Sequence, residues 1–230
     1  MSSAELDDLS DEELLAEELA LAAADKARPS EHQLAGGAPA SFAWLLVVGG
    51  AIGVLASIEL VLAEMALLRD PASALSCDIN PLIGCSDSLL AWQSHLLFGI
   101  PNAIVGAVIF GMVLGVGLSL LAGARFARWL WVVMSLAVLG GFAFVAWFLT
   151  QSITVFHVLC PWCMVTWAVV IIVGYQVLAR AAQGGHLPLP ERAARFLYLE
   201  RWLLTIGTFV LILVAVGIGL WGAWRLLLGI

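Results

Sequence analysis

The chain has 230 residues, 62% of them hydrophobic and only 12% charged, with a mean hydropathy of +1.02 and a formal net charge of −7. Soluble domains run at about half apolar and a quarter charged, so these figures exclude a soluble globule and place the chain in a lipid bilayer. The net charge comes mostly from the start of the chain, and no nucleic-acid partner is expected.

Met1–Lys26 holds nine of the seventeen acids, with Ser10 and Glu13 at capping-box spacing. Residues 1–41 therefore read as an acidic, solvated tail, partly helical or disordered. An acidic n-region and an apolar stretch too long for an h-region argue against a signal peptide. Five apolar stretches follow, about Phe42–Leu62, Ile100–Leu121, Trp129–Thr150, Leu159–Leu178 and Trp202–Trp224. Each meets the ~20 residues that a membrane helix needs. A closed barrel would show alternating segments of ~10 residues, and these runs are unbroken. The expected fold is an all-α integral membrane protein with five transmembrane helices. Its parts are a four-helix unit over residues 42–180 carrying a loop at 65–99, a second loop at 181–201, and a fifth helix at 202–226.

Within the first loop, Ser86–Phe98 is too short and too mixed to span. Leu89, Trp92 and Leu96 fall on one helical face, and Ser88 and His95 on another, which predicts an amphipathic half-helix lying on the membrane surface.

Orientation follows from positive residues near helix ends. With the N-terminus inside, Lys26, Arg28, Arg125, Arg128, Arg180, Arg192, Arg195 and Arg201 are all inner, and only Arg69 and Arg225 are outer. Trp44, Trp129, Trp131 and Trp202 then mark the inner boundary, and Trp147, Trp162, Trp221 and Trp224 the outer one. The C-terminus and the 65–99 loop are expected outside.

The four cysteines come in two close pairs, Cys77 with Cys85 and Cys160 with Cys163. The threading puts all four on the outer side, where disulfides persist. Pro161 suits the first position of a helix, which leaves Cys160 near the N-cap. There, free N–H groups and the helix dipole favour the thiolate. Cys163 lies one turn deeper. A bridge between Cys77 and Cys85 closes a loop of about nine residues, worth only about 2.5 kcal/mol in the chain-entropy model, and so is better suited to opening and closing than to stapling. Redox exchange is the reading these pairs favour. Two structural bridges, or a zinc site built from His157, Cys160, Cys163 and the loop thiols, are the competing ones. No resident metal is expected.

The segments Cys77-Asp78-Ile79-Asn80-Pro81-Leu82-Ile83-Gly84-Cys85, Gly99-Ile100-Pro101-Asn102 and Cys160-Pro161-Trp162-Cys163-Met164-Val165 resemble the bacterial branch of the vitamin K epoxide reductase family, over about Phe42 to Arg180. Quinone oxidoreductases of the DsbB type place the CxxC before the loop pair, the reverse of the order here. The resemblance implies a four-helix bundle around a quinone, ubiquinone or menaquinone, in a bacterial plasma membrane. It implies that Cys77 exchanges with an external thioredoxin-like protein of the DsbA kind, that Cys85 attacks Cys160, and that Cys163 reacts with the quinone. Asn102 matches the family's hydrogen-bond donor to a quinone carbonyl, and Trp167 stands where vertebrate relatives carry a Tyr. Relatives often place Ser or Thr where this chain has Ala91, with Ser88 or Ser94 as substitutes. Many append a thioredoxin-like domain; this sequence stops at Ile230, so the partner is expected to be a separate protein. Reduction of a quinone epoxide is the alternative chemistry. Among other residues, Asn102 also suits a helix cap, Glu59 is expected to pair with Arg69 or reach for water, His157 to act on Cys160 or be solvated, and Asp78 to orient the loop or the partner.

Overall fold

The computed structural model describes residues 28–80, 82–222 and 225. Most of the acidic tail therefore lies outside the described residues. Helices α1 (Glu31–Leu34), α2 (Ala40–Arg69), α3 (Ser86–Leu89), α4 (Asn102–Leu121), α5 (Arg128–Gln151), α6 (Pro161–Gln183), α7 (Glu191–Leu199) and α8 (Arg201–Gly219) follow in order, with a 3₁₀ turn at Trp92–Ser94 and a π-helical turn at Ser152–Phe156. Among the described residues five helices are long and apolar enough to cross a membrane: α2, α4, α5 with its π turn, α6 and α8. The chain is an all-α, multi-pass membrane protein.

Proline sets where several of these helices begin. Pro39, Pro101 and Pro190 occupy the N-caps of α2, α4 and α7, and Pro161 is the first residue of α6. Proline supplies a helix-compatible φ and lacks an N–H that would go unpaired there. Lipid offers helices no hydrophobic drive to associate, so close packing by small residues does that work. In the α2–α4 pair, Gly50 meets the Leu114 backbone and Gly117 meets the Val47 backbone N, each so closely that a β-carbon would sit under 3 Å away. Helix α6 is central: it packs against α2, α5, α7 and α8, and half of its most apolar window is buried within the protein.

Helix α2 runs seven residues beyond the expected Leu62. Its 30 residues extend about 45 Å, so its last turns, including Glu64, outreach the hydrocarbon core. The half-helix is shorter than expected and broken into α3 and the 3₁₀ turn. Ser88 and Leu89 are both buried, whereas Trp92 is 68% exposed and Leu96 is also exposed, so the expected division into an apolar and a polar face does not hold. The 181–201 loop contains the short amphipathic helix α7.

At the end of the bundle away from the cysteines, Arg180 of α6 is only 3% exposed. Its Nη2 donates to the carbonyls of Gln33 (2.6 Å) and Gly37 (2.5 Å), and the guanidinium lies over the Trp131 ring at 5.3 Å. Trp131 Nε1 and Phe126 N both donate to the Gly36 carbonyl, and His186 stacks on Trp131. The segment ahead of α2 is thereby tied to α5 and α6.

Candidate redox site at the cysteine end

Two separate stretches of chain meet here through main-chain hydrogen bonds. The Gly84 N–H donates to the Leu159 carbonyl (3.1 Å), and the Leu159 N–H donates to the Leu82 carbonyl (2.9 Å). This is a one-residue parallel bridge between Ile83 and Leu159. Ile83 stands two residues before Cys85 and Leu159 one before Cys160, so the pairing delivers Cys85 and Cys160 to the same place. Their sulfurs are 3.4 Å apart and buried. The π turn and His157, whose φ of +56° is left-handed, redirect the chain from the end of α5 into this bridge. Single-turn π segments recur at functional sites.

Cys77 and Cys85 are joined, with Cα atoms 5.8 Å apart, and Cys160 and Cys163 are free thiols. Cys160 is the N-cap of α6, and its sulfur accepts from the Cys163 N–H at 3.4 Å. The expected N-cap placement is observed, and with it an N–H aimed at the sulfur that would carry negative charge. Cys77, Cys85 and Cys160 share one apolar cluster with Leu60 and Leu67 of α2, Leu75 and Leu89, and Cys163 packs at its margin.

Asp78 organises the loop. Its Oδ1 accepts from Cys85 N (2.7 Å) and Ser86 N (3.2 Å), and its Oδ2 accepts from the Ser86 hydroxyl. Partial burial pushes the carboxyl up, but these hydrogen bonds outweigh it and hold Asp78 below its ordinary value. Asn80 Oδ1 receives the N–H groups of Leu82 and Ile83, an Asx-type turn.

Asn102 opens α4 as expected. Its amide donates to the Gln93 carbonyl (2.7 Å) and accepts from Leu96 N (3.2 Å), so it fastens the segment before α4 and retains one further N–H. Trp167 is buried, edge-on to Phe148 at 6.2 Å, in a cluster that Cys163 also adjoins. Ser88 donates to the Cys85 carbonyl and Ser94 to the Ser88 carbonyl. His157 is exposed, with Nδ1 3.2 Å from the Val155 carbonyl rather than on a thiol. Glu59 is exposed on α2; the buried acid of that helix is Glu64, 2.9 Å from His95. Sequence reasoning missed the Glu64–His95 pair, because α2 was expected to end at Leu62.

A quinone carbonyl accepts hydrogen bonds and a quinol hydroxyl donates them. Asn102 has a spare donor, and the neighbouring Gln93 is buried with its Oε1 unpartnered among the described residues. This donor and acceptor pair fits such a molecule.

The family model of the vitamin K epoxide reductase family matches residues 44–178, which cover α3 to α5, most of α2 and of α6, and all four cysteines. No curated protein matches the chain.

Proposed function

The chain belongs to the vitamin K epoxide reductase family, a family of membrane oxidoreductases acting on disulfides and quinones, and from that premise we propose that it reoxidises an external thioredoxin-like protein of the DsbA kind at the expense of ubiquinone or menaquinone. The membrane is a bacterial plasma membrane, with the cysteine end facing outward, as the bias of eight inner basic residues to two outer ones supports. The observation that carries this reading is the 3.4 Å approach of Cys85 and Cys160, two sulfurs of different pairs within reach of exchange.

A thiolate of the reduced partner attacks Cys77, and the partner's second thiol resolves that mixed disulfide, leaving Cys77 and Cys85 as thiols. Cys77 is buried in the joined state, so this step requires the loop before Gly84 to lift. The Cys85 thiolate then attacks Cys160 of an oxidised Cys160–Cys163 pair, and Cys163 departs as thiolate. Cys77 attacks Cys85 in turn. The Cys77–Cys85 bond is restored and Cys160 and Cys163 are left as thiols, the arrangement in this structure. A bound quinone supplies acceptance of two electrons and two protons. Asn102 and Gln93 would hold its oxygens, and Trp167 would wall the site one turn below Cys163.

Purified protein in lipid discs, mixed with a quinone and a reduced thioredoxin-like protein, is expected to produce quinol, read by its absorbance. Absence of quinol, or an undiminished yield with Cys163→Ala, refutes the reading.

A further inference from the structure

Leu60, Glu64 and Leu67 recur at i, i+4 and i+7 and so share one face of α2, and Leu60 and Leu67 pack directly into the cysteine cluster. Glu64 is 5% exposed on that face. An acid taken out of water by burial is expensive and needs a partner. That partner is His95, whose Nε2 is 2.9 Å from Glu64 Oε1. Its other nitrogen, Nδ1, faces the Ala91 carbonyl at 3.1 Å; a carbonyl can only accept, so Nδ1 carries a proton. Nε2 therefore donates to the carboxylate when the ring is an imidazolium.

The same segment is linked back to Cys85. Ser94, adjacent to His95, donates to the Ser88 carbonyl (2.6 Å), and Ser88 donates to the Cys85 carbonyl (3.0 Å). Cys85 is thus held on one side by the Leu159 bridge and on the other by a run of hydrogen bonds ending at Glu64. During turnover the Cys77–Cys85 bond must open, and the covalent restraint on Cys85 goes with it.

We propose that Glu64 and His95 form an ionic clasp whose role is to keep Cys85 in register with Cys160 while the loop disulfide is open. Both are positioning residues: they act through the segment that bears Cys85 and do not touch the reacting sulfurs. The step they assist is the attack of Cys85 thiolate on Cys160. The Cys85–Cys160 bond forms, the Cys160–Cys163 bond breaks, and the electron pair leaves on Cys163. The proton of Cys85 is first lost to water, and the oxidant that makes the Cys160–Cys163 bond is a quinone. The inference rests on the relay proposed above. Holding two reactants in place is worth rate in proportion to the freedom removed.

The clasp is also sensitive to pH. The hydrogen bond at the Ala91 carbonyl and the Glu64 carboxylate, opposed by burial, raise the His95 value above the ordinary 6.5. Among the described residues Glu64 is the charged group in contact with the ring. A raised imidazolium contributes fully below its unfolded value and loses that contribution as pH rises through the folded one.

The test uses the full chain carrying Cys77→Ser, in which the Cys85–Cys160 adduct cannot pass on to Cys77 and is undone only by return of Cys163, so that alkylating the freed Cys163 captures it. The protein is reduced, freed of reductant and given a short-chain ubiquinone; peptide mapping after alkylation follows both the Cys160–Cys163 bond and the adduct. His95→Gln or Glu64→Gln is expected to slow adduct formation about tenfold near pH 6, while oxidation of Cys160 and Cys163 by the quinone keeps its rate. The deficit relative to the parent is expected to shrink toward none by about pH 9. Glu59→Gln, an exposed acid of the same helix, is expected to match the parent. His95→Gln lies on the loop and carries the test alone if Glu64→Gln fails to insert. Equal adduct rates in parent and His95→Gln across this range overturn the clasp alone. Failure of the parent to form any adduct overturns the relay itself.

Discussion

Helix α6 has two buried ends of opposite character. At its N-terminus Cys160 meets Cys85 across a one-residue backbone bridge, inside a loop closed by a breakable covalent bond. At its C-terminal end Arg180 is held by two main-chain carbonyls and an indole face. In the proposed relay one end exchanges partners and the other stays fixed. A buried charge with no carboxylate among the described residues is tolerable where main-chain carbonyls accept from it, and a disulfide is useful as a relay where the loop around it can lift.

Substitutions at the two ends should separate along this line. The largest effect is expected at the thiols: Cys160→Ser or Cys163→Ser should reduce quinol formation to background, because neither remaining sulfur can complete the exchange. Cys77→Ser should abolish turnover driven by a protein partner and spare turnover driven by a small dithiol that reduces Cys160–Cys163 directly. Comparing the two assays shows which pair each reductant meets. At the opposite end, Arg180→Met should leave turnover within about twofold while lowering thermal stability by about 3 kcal/mol, since two buried carbonyls lose a charged donor. A large loss of turnover with unchanged stability would reverse the assignment of roles.

A smaller effect is expected from pH acting on Asp78. Its lowered value means that the loop's carboxylate contacts are complete above the ordinary 3.8 and are lost as pH falls through the lower folded value. Reduction of Cys77–Cys85 by a phosphine, which does not depend on a thiolate, should therefore be uniform through neutral pH and accelerate only in strong acid. Asp78→Asn should be faster at neutral pH by the worth of about one cap, ~1 kcal/mol. Equal rates for the two proteins at neutral pH would show that Asp78 does not hold the loop.

Much of the membrane architecture was legible because a bilayer asks for long apolar runs and this chain supplies five. The cysteine pairs were legible because spacing and order carry chemistry. Hydropathy, however, marks the bilayer crossing and not the helix end. Ala63, Met65, Ala66, Leu67 and Leu68 are strong helix formers, so α2 continues past Leu62 and carries Glu64 to the cysteines. Helical phase places His95 on the polar face of an amphipathic segment, whereas its partner lies 31 residues away in sequence. Arg180 counted only as an inner positive charge; its burial depends on the fold returning Gln33 and Gly37 to it, which no local pattern announces. The π turn before His157 likewise leaves no periodic signature.

The bridge between Ile83 and Leu159 is made of main chain alone, so side-chain replacement at Leu82, Ile83 or Leu159, proline at Leu159 excepted, leaves its donors and acceptors in place. Length matters more. Adding one residue between the bridge and either cysteine, or deleting Gly84, displaces a sulfur by roughly 3.3 Å, a step comparable to the 3.4 Å between the two sulfurs. The spacing works as a ruler, and a chain of this design tolerates drift in composition there far better than a change in count.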